Sequence, residues 1–177
     1  MKVYFLPMQT NPSRRRKINS KILKVEEYPK TGKVIHISCD RMSPISPDNM
    51  IKLWTEQHIK LSPPATIDLI KATEKIIEFQ FPNDFKAFYL TLDGFADWDW
   101  TKKMFSIWPL TRIVEEYHNE SNKSFIVFAD YLINSHHIGF VKGQKGVFKN
   151  SGVIPELIAE TFLEALFLIN SDADILY

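Results

Sequence analysis

Residues 66–94, TIDLIKATEKIIEFQFPNDFKAFYLTLDG, decide the fold of this chain. In the first half of the stretch, apolar side chains such as Ile70 and Ile77 recur at helical spacing, which predicts an amphipathic helix. Thr66 is a suitable N-cap for this helix. Pro82 ends it, because proline lacks the backbone donor and clashes with the preceding turn.

A second helix is predicted after the break. Asn83 is its candidate N-cap, and Gly94 is the candidate for its end, because glycine tolerates the left-handed backbone conformation. The apolar face of this helix consists of Phe85, Phe88, Tyr89 and Leu92. The stretch therefore predicts two consecutive helices.

Glu74 interrupts the apolar face of the first helix at a position where an apolar residue is expected. One interpretation places it at the edge of that face, with its carboxylate in water. The other is a partly buried carboxylate that accepts hydrogen bonds from a neighbouring turn, because a buried charge must be satisfied. Neither makes Glu74 catalytic, since no second carboxylate or histidine shares this face.

This pattern resembles the SUKH superfamily, which contains the Smi–Knr-type yeast cell-wall regulator and many bacterial toxin-immunity proteins. The residues that match are Glu74, Phe81, Pro82, Asp84, Phe85, Lys86, Phe88 and Gly94. Further on, residues 107–110 followed by Ile113 resemble the strand-into-helix segment of the superfamily, and residues 158–166 resemble its closing helix. The likeness covers residues 47–170. It implies a non-catalytic protein that sequesters a partner, in bacteria typically a toxin and often a nuclease.

The order of the other elements predicts the fold class. Strands are predicted over 104–108, 124–129, 138–142 and 147–149, and Thr111 is a candidate cap for a helix that follows the first of them. The capping box of Thr161 and Glu164 starts a last helix. Helices, then strands joined by turns, then a closing helix indicate an α+β fold with helices packed on a mostly antiparallel sheet.

Composition and charge limit the classes of function. The 177 residues contain 45% hydrophobic residues and one cysteine, Cys39, so we expect a cytoplasmic protein without an internal disulfide. No signal peptide or membrane-spanning run is evident, which argues against a membrane partner. Residues 1–33 hold nine Lys or Arg and two Asp or Glu, whereas residues 34–177 hold thirteen and nineteen. The acidic body favours a basic protein partner over nucleic acid.

Two domains are expected: a basic N-terminal extension over residues 1–46, with a possible hairpin at 29–32, and a SUKH-like domain over 47–177. The basic run at 14–17 is either a phosphate-binding patch or a surface arm that lies on the acidic body. The first interpretation supports an alternative function, a regulatory or nucleic-acid-associated protein that acts through this arm.

The loop after Gly94 is the candidate binding surface. Its carboxylates suggest calcium, but their spacing is not that of a helix-loop-helix calcium site. Tryptophan supplies large buried area at interfaces, and flanking carboxylates add charge complementarity, although both rings can equally cover the edge of the core. The residues predicted to bind a basic toxin domain are Asp93, Asp97, Trp98, Asp99, Trp100, Glu115, Glu116 and Glu120.

No metal, cofactor or catalytic site is predicted. His136 and His137 are adjacent on a predicted strand and point to opposite faces, so they cannot easily share one ion. Together with the pair His36 and Cys39, they also fall short of the three or four ligands usual for zinc. The chain carries no phosphate loop, nucleophile elbow or zinc spacing, so an unrecognised hydrolase is the weaker hypothesis.

Overall fold

Five helices and a five-stranded sheet make up residues 46–152 and 154–177, the part of the chain that the computed structural model describes. The elements are α1 (Pro47–Glu56), α2 (Ile67–Ile77), α3 (Asn83–Tyr89), β1 (Phe105–Ile107), α4 (Leu110–Asn119), β2 (Phe125–Tyr131), β3 (His136–Val141), β4 (Val147–Asn150), β5 (Glu156–Ala159) and α5 (Phe162–Ser171). A short 3-10 helix, Asp174–Leu176, follows α5.

The strands form one antiparallel sheet in the order β1-β2-β3-β4-β5. Consecutive strands are therefore neighbours: short connections follow β2, β3 and β4, whereas β1 is joined to β2 through α4. A bulge in β2 between Val127 and Ala129 shifts its register with β3. The carbonyl of Phe128, at this bulge, accepts a hydrogen bond of 2.8 Å from the backbone N–H of Trp108. The predicted α+β class is confirmed.

Aromatic side chains join the helices to the sheet. Phe85 of α3 stacks on Tyr89 with ring centroids 4.0 Å apart, and meets Phe162 of α5 edge-on at 4.8 Å. Phe85 also contacts Phe128 of β2 and Phe140 of β3. Because the apolar residues of the 66–94 stretch meet both the sheet and the closing helix, this stretch lies at the centre of the core.

The predicted caps Thr66 and Thr161 are confirmed by hydrogen bonds, and Ser46 caps α1 in the same way. The hydroxyl of Ser46 accepts from Asp48 N at 3.2 Å, that of Thr66 from Leu69 N at 3.1 Å, and that of Thr161 from Glu164 N at 3.2 Å. The prediction for Asn83 is wrong, because Pro82 holds the cap position without a side-chain hydrogen bond. Proline supplies a backbone angle close to that of a helix start, which suits this junction.

Two further predictions are corrected. Helix α3 ends at Tyr89 and not at Gly94, which adopts a positive φ of 66° in the connection that follows. Residues 158 and 159 belong to strand β5 and not to the closing helix. Four residues, of which Glu156 and Leu157 are exposed, give too short an alternation to indicate a strand from sequence.

Several predictions concern residues outside the described part of the chain. These are the basic run at 14–17, the hairpin at 29–32, and the pair His36 and Cys39. The domain boundary after residue 46 likewise stays a prediction.

Glu74 is buried, and the second interpretation of this residue is confirmed. Its side chain is 6% exposed. Its Oε1 accepts a hydrogen bond of 2.8 Å from Phe81 N and lies 3.4 Å from Lys86 Nζ. The carboxylate thus joins the end of α2 to the start of α3 across the left-handed turn at Glu78. It satisfies a backbone donor that would otherwise be buried without a partner.

We expect Glu74→Leu to lower the free energy of unfolding by about 1–3 kcal/mol, because it leaves the buried N–H of Phe81 unsatisfied. Glu74→Gln keeps an acceptor oxygen and should lose less. Urea denaturation followed by circular dichroism measures both variants. Equal losses for Leu and Gln would show that the hydrogen bond does not decide the role of this residue.

Candidate partner-binding cleft

The segment Phe95–Trp100, called here the tryptophan loop, is held against Lys60 by backbone and side-chain contacts. Ala96 N donates to Lys60 O at 2.7 Å, and Lys60 N donates to Asp99 Oδ2 at 2.8 Å. Lys60 Nζ lies 3.0 Å from Asp97 Oδ2. This contact raises the pKa of the exposed Lys60 ammonium, mainly through the hydrogen bond to Asp97. The loop therefore has a defined conformation.

That conformation is strained. Asp97 and Trp98 have positive φ angles of 52° and 59°, in a region that residues other than glycine seldom adopt. Such residues cost about 1–3 kcal/mol each and persist only where the surroundings hold them. The contacts with Lys60 supply part of this support. In this conformation of the loop, Trp98 is 53% exposed to solvent.

Arg112 of α4 supports the Trp98 ring from below. Its guanidinium carbon lies 3.8 Å from the centre of the Trp98 ring and 4.1 Å from that of the Trp108 ring. The guanidinium is thus sandwiched between two indoles, a favourable cation–π arrangement. Arg112 is only 6% exposed.

Asp130 of β2 provides the counter-charge for Arg112. This carboxylate is fully buried, lies 3.3 Å from Arg112 Nη2 and accepts a hydrogen bond from Trp108 Nε1. Arg112 Nη1 donates to Ser106 Oγ at 3.4 Å. Burial lowers the pKa of the Arg112 guanidinium, an effect that the charges of Asp130, Glu116 and Glu115 oppose. Arg112 Nε has no hydrogen-bond partner in the described residues.

An open cleft of about 410 Å³ lies between the tryptophan loop and the start of α4. Its walls include Asp93, Asp97, Trp98, Arg112 and Glu115. The cleft therefore combines three carboxylates with an indole ring that a buried guanidinium supports. Such an arrangement can take a cationic or an amphipathic group of a partner, because the carboxylates supply charge and the ring supplies apolar area.

The predicted binding residues divide into groups. Asp97, Trp98 and Glu115 line the cleft with exposed side chains. Asp93 lines it too, but its carboxylate is 8% exposed and accepts a 2.8 Å hydrogen bond from Leu110 N. Burial raises the pKa of Asp93, and the hydrogen bond from Leu110 N partly offsets this rise. Asp93 therefore acts as the cap of α4, the role that the sequence suggested for Thr111.

The other four predicted residues do not line this cleft. Asp99 accepts hydrogen bonds from Lys60 N and Trp100 N, both at 2.8 Å, so its carboxylate holds the loop. The Trp100 ring is half-buried. Glu116 and Glu120 line a separate, much smaller cavity beside Tyr117. Four of the eight predicted residues therefore line this cleft, and the binding role of all eight stays a prediction.

The sequence analysis missed Arg112, Asp130 and Lys60. An arginine in an amphipathic helix is expected on its outer face, yet Arg112 is buried in α4 beside Leu110 and Ile113. Asp130 ends an apolar run and suggested a turn. A local pattern gives no signal for a pair that forms between a helix and a strand.

The two adjacent histidines, His136 and His137, contact aromatic rings. In the described residues, no group of three or more His, Cys, Asp or Glu side chains is placed to hold a metal ion. His136 is 8% exposed and stacks on Tyr131 with ring centroids 4.8 Å apart. The pKa values of His136 and His137 are both lowered, mainly by burial.

We expect the stability of the protein to fall as pH decreases below the ordinary histidine value of 6.5. A lowered pKa in the folded state means that the unfolded state binds the proton first, so acid favours unfolding. His136 contributes its full share of the folding stability above pH 6.5, and this share is lost as the pH falls through the lowered pKa of His136 in the folded state.

Urea midpoints between about pH 7.5 and about pH 5.5 measure this dependence, and one proton gives a slope of at most about 1.4 kcal/mol per pH unit. His136→Phe keeps a ring beside Tyr131 and should reduce the slope. The same substitution at the exposed His118 is the control. An unchanged slope in His136→Phe would contradict the assignment.

Helices α1 to α5 are all too short to cross a lipid bilayer, and no other helix in the described residues is long and apolar enough to do so. A comparison with curated protein sequences finds no match to the chain. A comparison with protein-family models matches residues 64–166 to the SMI1 / KNR4 family (SUKH-1). The match begins just before α2 and ends within α5, so it includes α2 to α4, the five strands and the named residues of the cleft, but not α1. The chain therefore belongs to the SMI1 / KNR4 family (SUKH-1).

Proposed function

We propose that the chain is a non-catalytic, cytoplasmic immunity protein that binds and neutralises a basic toxin domain, such as a nuclease domain, through the cleft beside Trp98. The observation that carries the proposal is an exposed tryptophan in a strained loop, which lines one cleft together with the carboxylates of Asp97 and Glu115. Membership of the SMI1 / KNR4 family supports a protein partner in general.

The energetics of protein interfaces support this use of Trp98. Tryptophan is enriched among the few residues that supply most of the binding energy at interfaces. A ring that is already fixed before binding loses little conformational entropy when the partner arrives. Arg112 and the contacts of Lys60 fix the ring here.

Charge supports a basic partner. Residues 46–177 hold twelve Lys or Arg and eighteen Asp or Glu, a formal charge of −6. An excess of this kind accelerates the encounter with a positively charged protein, and the acceleration decreases as salt is added. Nuclease domains bind a polyanion and tend to be basic.

A growth assay tests the proposal. A toxin domain encoded next to this chain is expressed with and without it, and growth is recorded together with the affinity of the purified pair. We expect the chain to restore growth and to bind the toxin with a salt-dependent association rate. Absence of both rescue and binding would contradict the proposal.

Two variants locate the binding surface. Trp98→Ala and Glu115→Lys should each weaken binding by about 1–3 kcal/mol. Glu115 is preferred to Asp99 for the charge reversal, because the Asp99 carboxylate also holds the loop. Glu156→Lys, on the exposed part of β5, is the matched control. Thermal melting verifies that each variant is folded, and an affinity equal to that of the unmodified chain would exclude the cleft.

The alternative function depends on the basic N-terminal segment. Its excess of Lys and Arg favours a regulatory or nucleic-acid-associated role. Deletion of residues 1–45 distinguishes the two functions, since it should abolish nucleic-acid binding and leave toxin neutralisation intact.

A further inference from the structure

We infer that the cleft recognises an arginine side chain of the partner, whose guanidinium lies on the outer face of Trp98 between Asp97 and Glu115. The biological meaning of this contact depends on the proposed function, but the chemical preference of the cleft does not. The inference names the group that the cleft binds and can be tested without the toxin.

The first argument is the free face of the Trp98 ring. Arg112 covers one face of the indole at 3.8 Å, yet Trp98 is 53% exposed, so the opposite face is open to solvent. The ring already stacks with one guanidinium, which shows that its geometry suits such a group. A second guanidinium on the outer face would extend the order Trp108, Arg112, Trp98 by one layer.

The second argument is charge. The Asp97 side chain is 71% exposed, and its carboxylate pairs with the exposed Lys60. Glu115 is exposed on the wall of the same cleft. The charge of Arg112 is compensated by the buried Asp130 carboxylate. The cleft is therefore net anionic where a ligand enters, and it favours a cation.

The third argument is an unused donor. Arg112 is more than nine-tenths buried and lines the cleft, and its Nε has no hydrogen-bond partner in residues 46–152 and 154–177. A buried donor without a partner is rare and unfavourable. Because the Nε atom itself is buried, a carbonyl oxygen of a partner residue in the cleft would satisfy it once the surrounding side chains shift on binding. A peptide arginine carries both the cation and this acceptor.

Arginine fits better than lysine for a physical reason. Its guanidinium is planar and weakly hydrated, it stacks on aromatic faces, and it pairs with carboxylates through two parallel hydrogen bonds. An ammonium is a compact, strongly hydrated charge that lacks these features. Stacking on the outer face of Trp98 therefore favours arginine.

The experiment titrates the full chain, labelled with ¹⁵N, with N-acetyl-arginine N-methylamide and follows the indole and backbone resonances by NMR. Three probes of the same design replace arginine by lysine, by neutral citrulline and by glutamate. We expect the arginine probe to shift the Trp98 indole resonance and to bind about threefold more tightly than the lysine probe. Citrulline and glutamate should bind more weakly than either.

Variants assign the contact to the cleft. Trp98→Leu should weaken binding of the arginine probe by about threefold or more, and Trp98→Phe should retain part of it. Glu115→Gln should also weaken binding, whereas Glu156→Gln, the same change on β5, should not. If Trp98→Leu does not fold, Trp98→Phe and Glu115→Gln provide the test.

Three results would overturn the inference: tighter binding of the glutamate probe, equal binding of arginine and citrulline, or binding that neither Trp98→Phe nor Glu115→Gln changes. These results leave the proposed function intact if the chain still protects cells from a toxin. Conversely, arginine binding without protection would refute the immunity role and leave the arginine site in place.

Discussion

Replacing Asp130 by alanine should lower the free energy of unfolding by about 3–5 kcal/mol, the usual effect of breaking a buried ion pair by removing one partner. Asp130 is 0% exposed. Its carboxylate lies 3.3 Å from Arg112 Nη2, and its Oδ2 accepts a 3.1 Å hydrogen bond from Asn134 N. Without it, the buried Arg112 guanidinium loses its ion-pair partner.

A double-mutant cycle separates this effect from simple loss of packing. Arg112→Met alone leaves the Asp130 carboxylate buried without its cation, so it should also destabilise the fold. The double variant Asp130→Ala/Arg112→Met removes both charges and should be more stable than the sum of the single losses predicts. Urea denaturation of the four proteins gives the coupling energy. Additive losses would mean that the two side chains do not depend on each other.

The ion pair between Asp130 and Arg112 also connects the stability of the fold with the geometry of the cleft. Arg112 supports the Trp98 ring from below, and Asp130 fixes Arg112 in position. Asp130 lies in β2, whereas the cleft is formed by α4 and the tryptophan loop. A substitution in the sheet can thus alter the cleft although the substituted residue does not line it.

Local signals explain which parts of the fold were predictable. The start of α1 at Ser46, the start of α2 at Thr66 and the capping box of α5 depend on residues within one helical turn. Helical periodicity and side-chain caps of this kind are visible in one sequence. The order of α2, α3, α4 and α5 and of strands β1 to β4 also followed from local sequence patterns.

Contacts between distant segments explain what was not predictable. Leu110 N is capped by Asp93, which lies seventeen positions earlier in the chain, so Thr111 was the only local candidate. The sequence left both interpretations of Glu74 open, because the choice depends on how the turn after α2 folds back. Strand β5 escaped detection because only its pairing with β4 defines it.

The candidate site was predicted in part. Asp97, Trp98 and Glu115 were assigned to one surface because they lie close in sequence, and they line one cleft. Their role in binding a partner stays a prediction. The sequence did not reveal Arg112, which determines how Trp98 is presented.

Replacing Gly94 by alanine should lower the free energy of unfolding by about 2–5 kcal/mol, because two costs act together. Gly94 has a φ of 66°, and a Cβ there would lie 2.6 Å from the carbonyl carbon of Trp108. The neighbouring hydrogen bond from Phe95 N to Ile107 O, 2.8 Å long, prevents the two backbones from moving apart. Tyr89 Oη donates to Trp108 O at 2.7 Å and restrains the same carbonyl group.

Gly143→Ala is the matched control for this prediction. Gly143 has a similar φ of 80°, but a Cβ there would meet no atom within 4 Å, so only the backbone conformation carries a cost, about 1–2 kcal/mol. The difference between the two variants in urea denaturation measures the close approach of residues 94 and 108. This approach brings the tryptophan loop beside α4. We therefore also expect Gly94→Ala to weaken the binding of any ligand in the cleft, and Gly143→Ala to leave that binding unchanged. Equal losses of stability in the two variants would mean that the connection after Trp108 yields to the added methyl group.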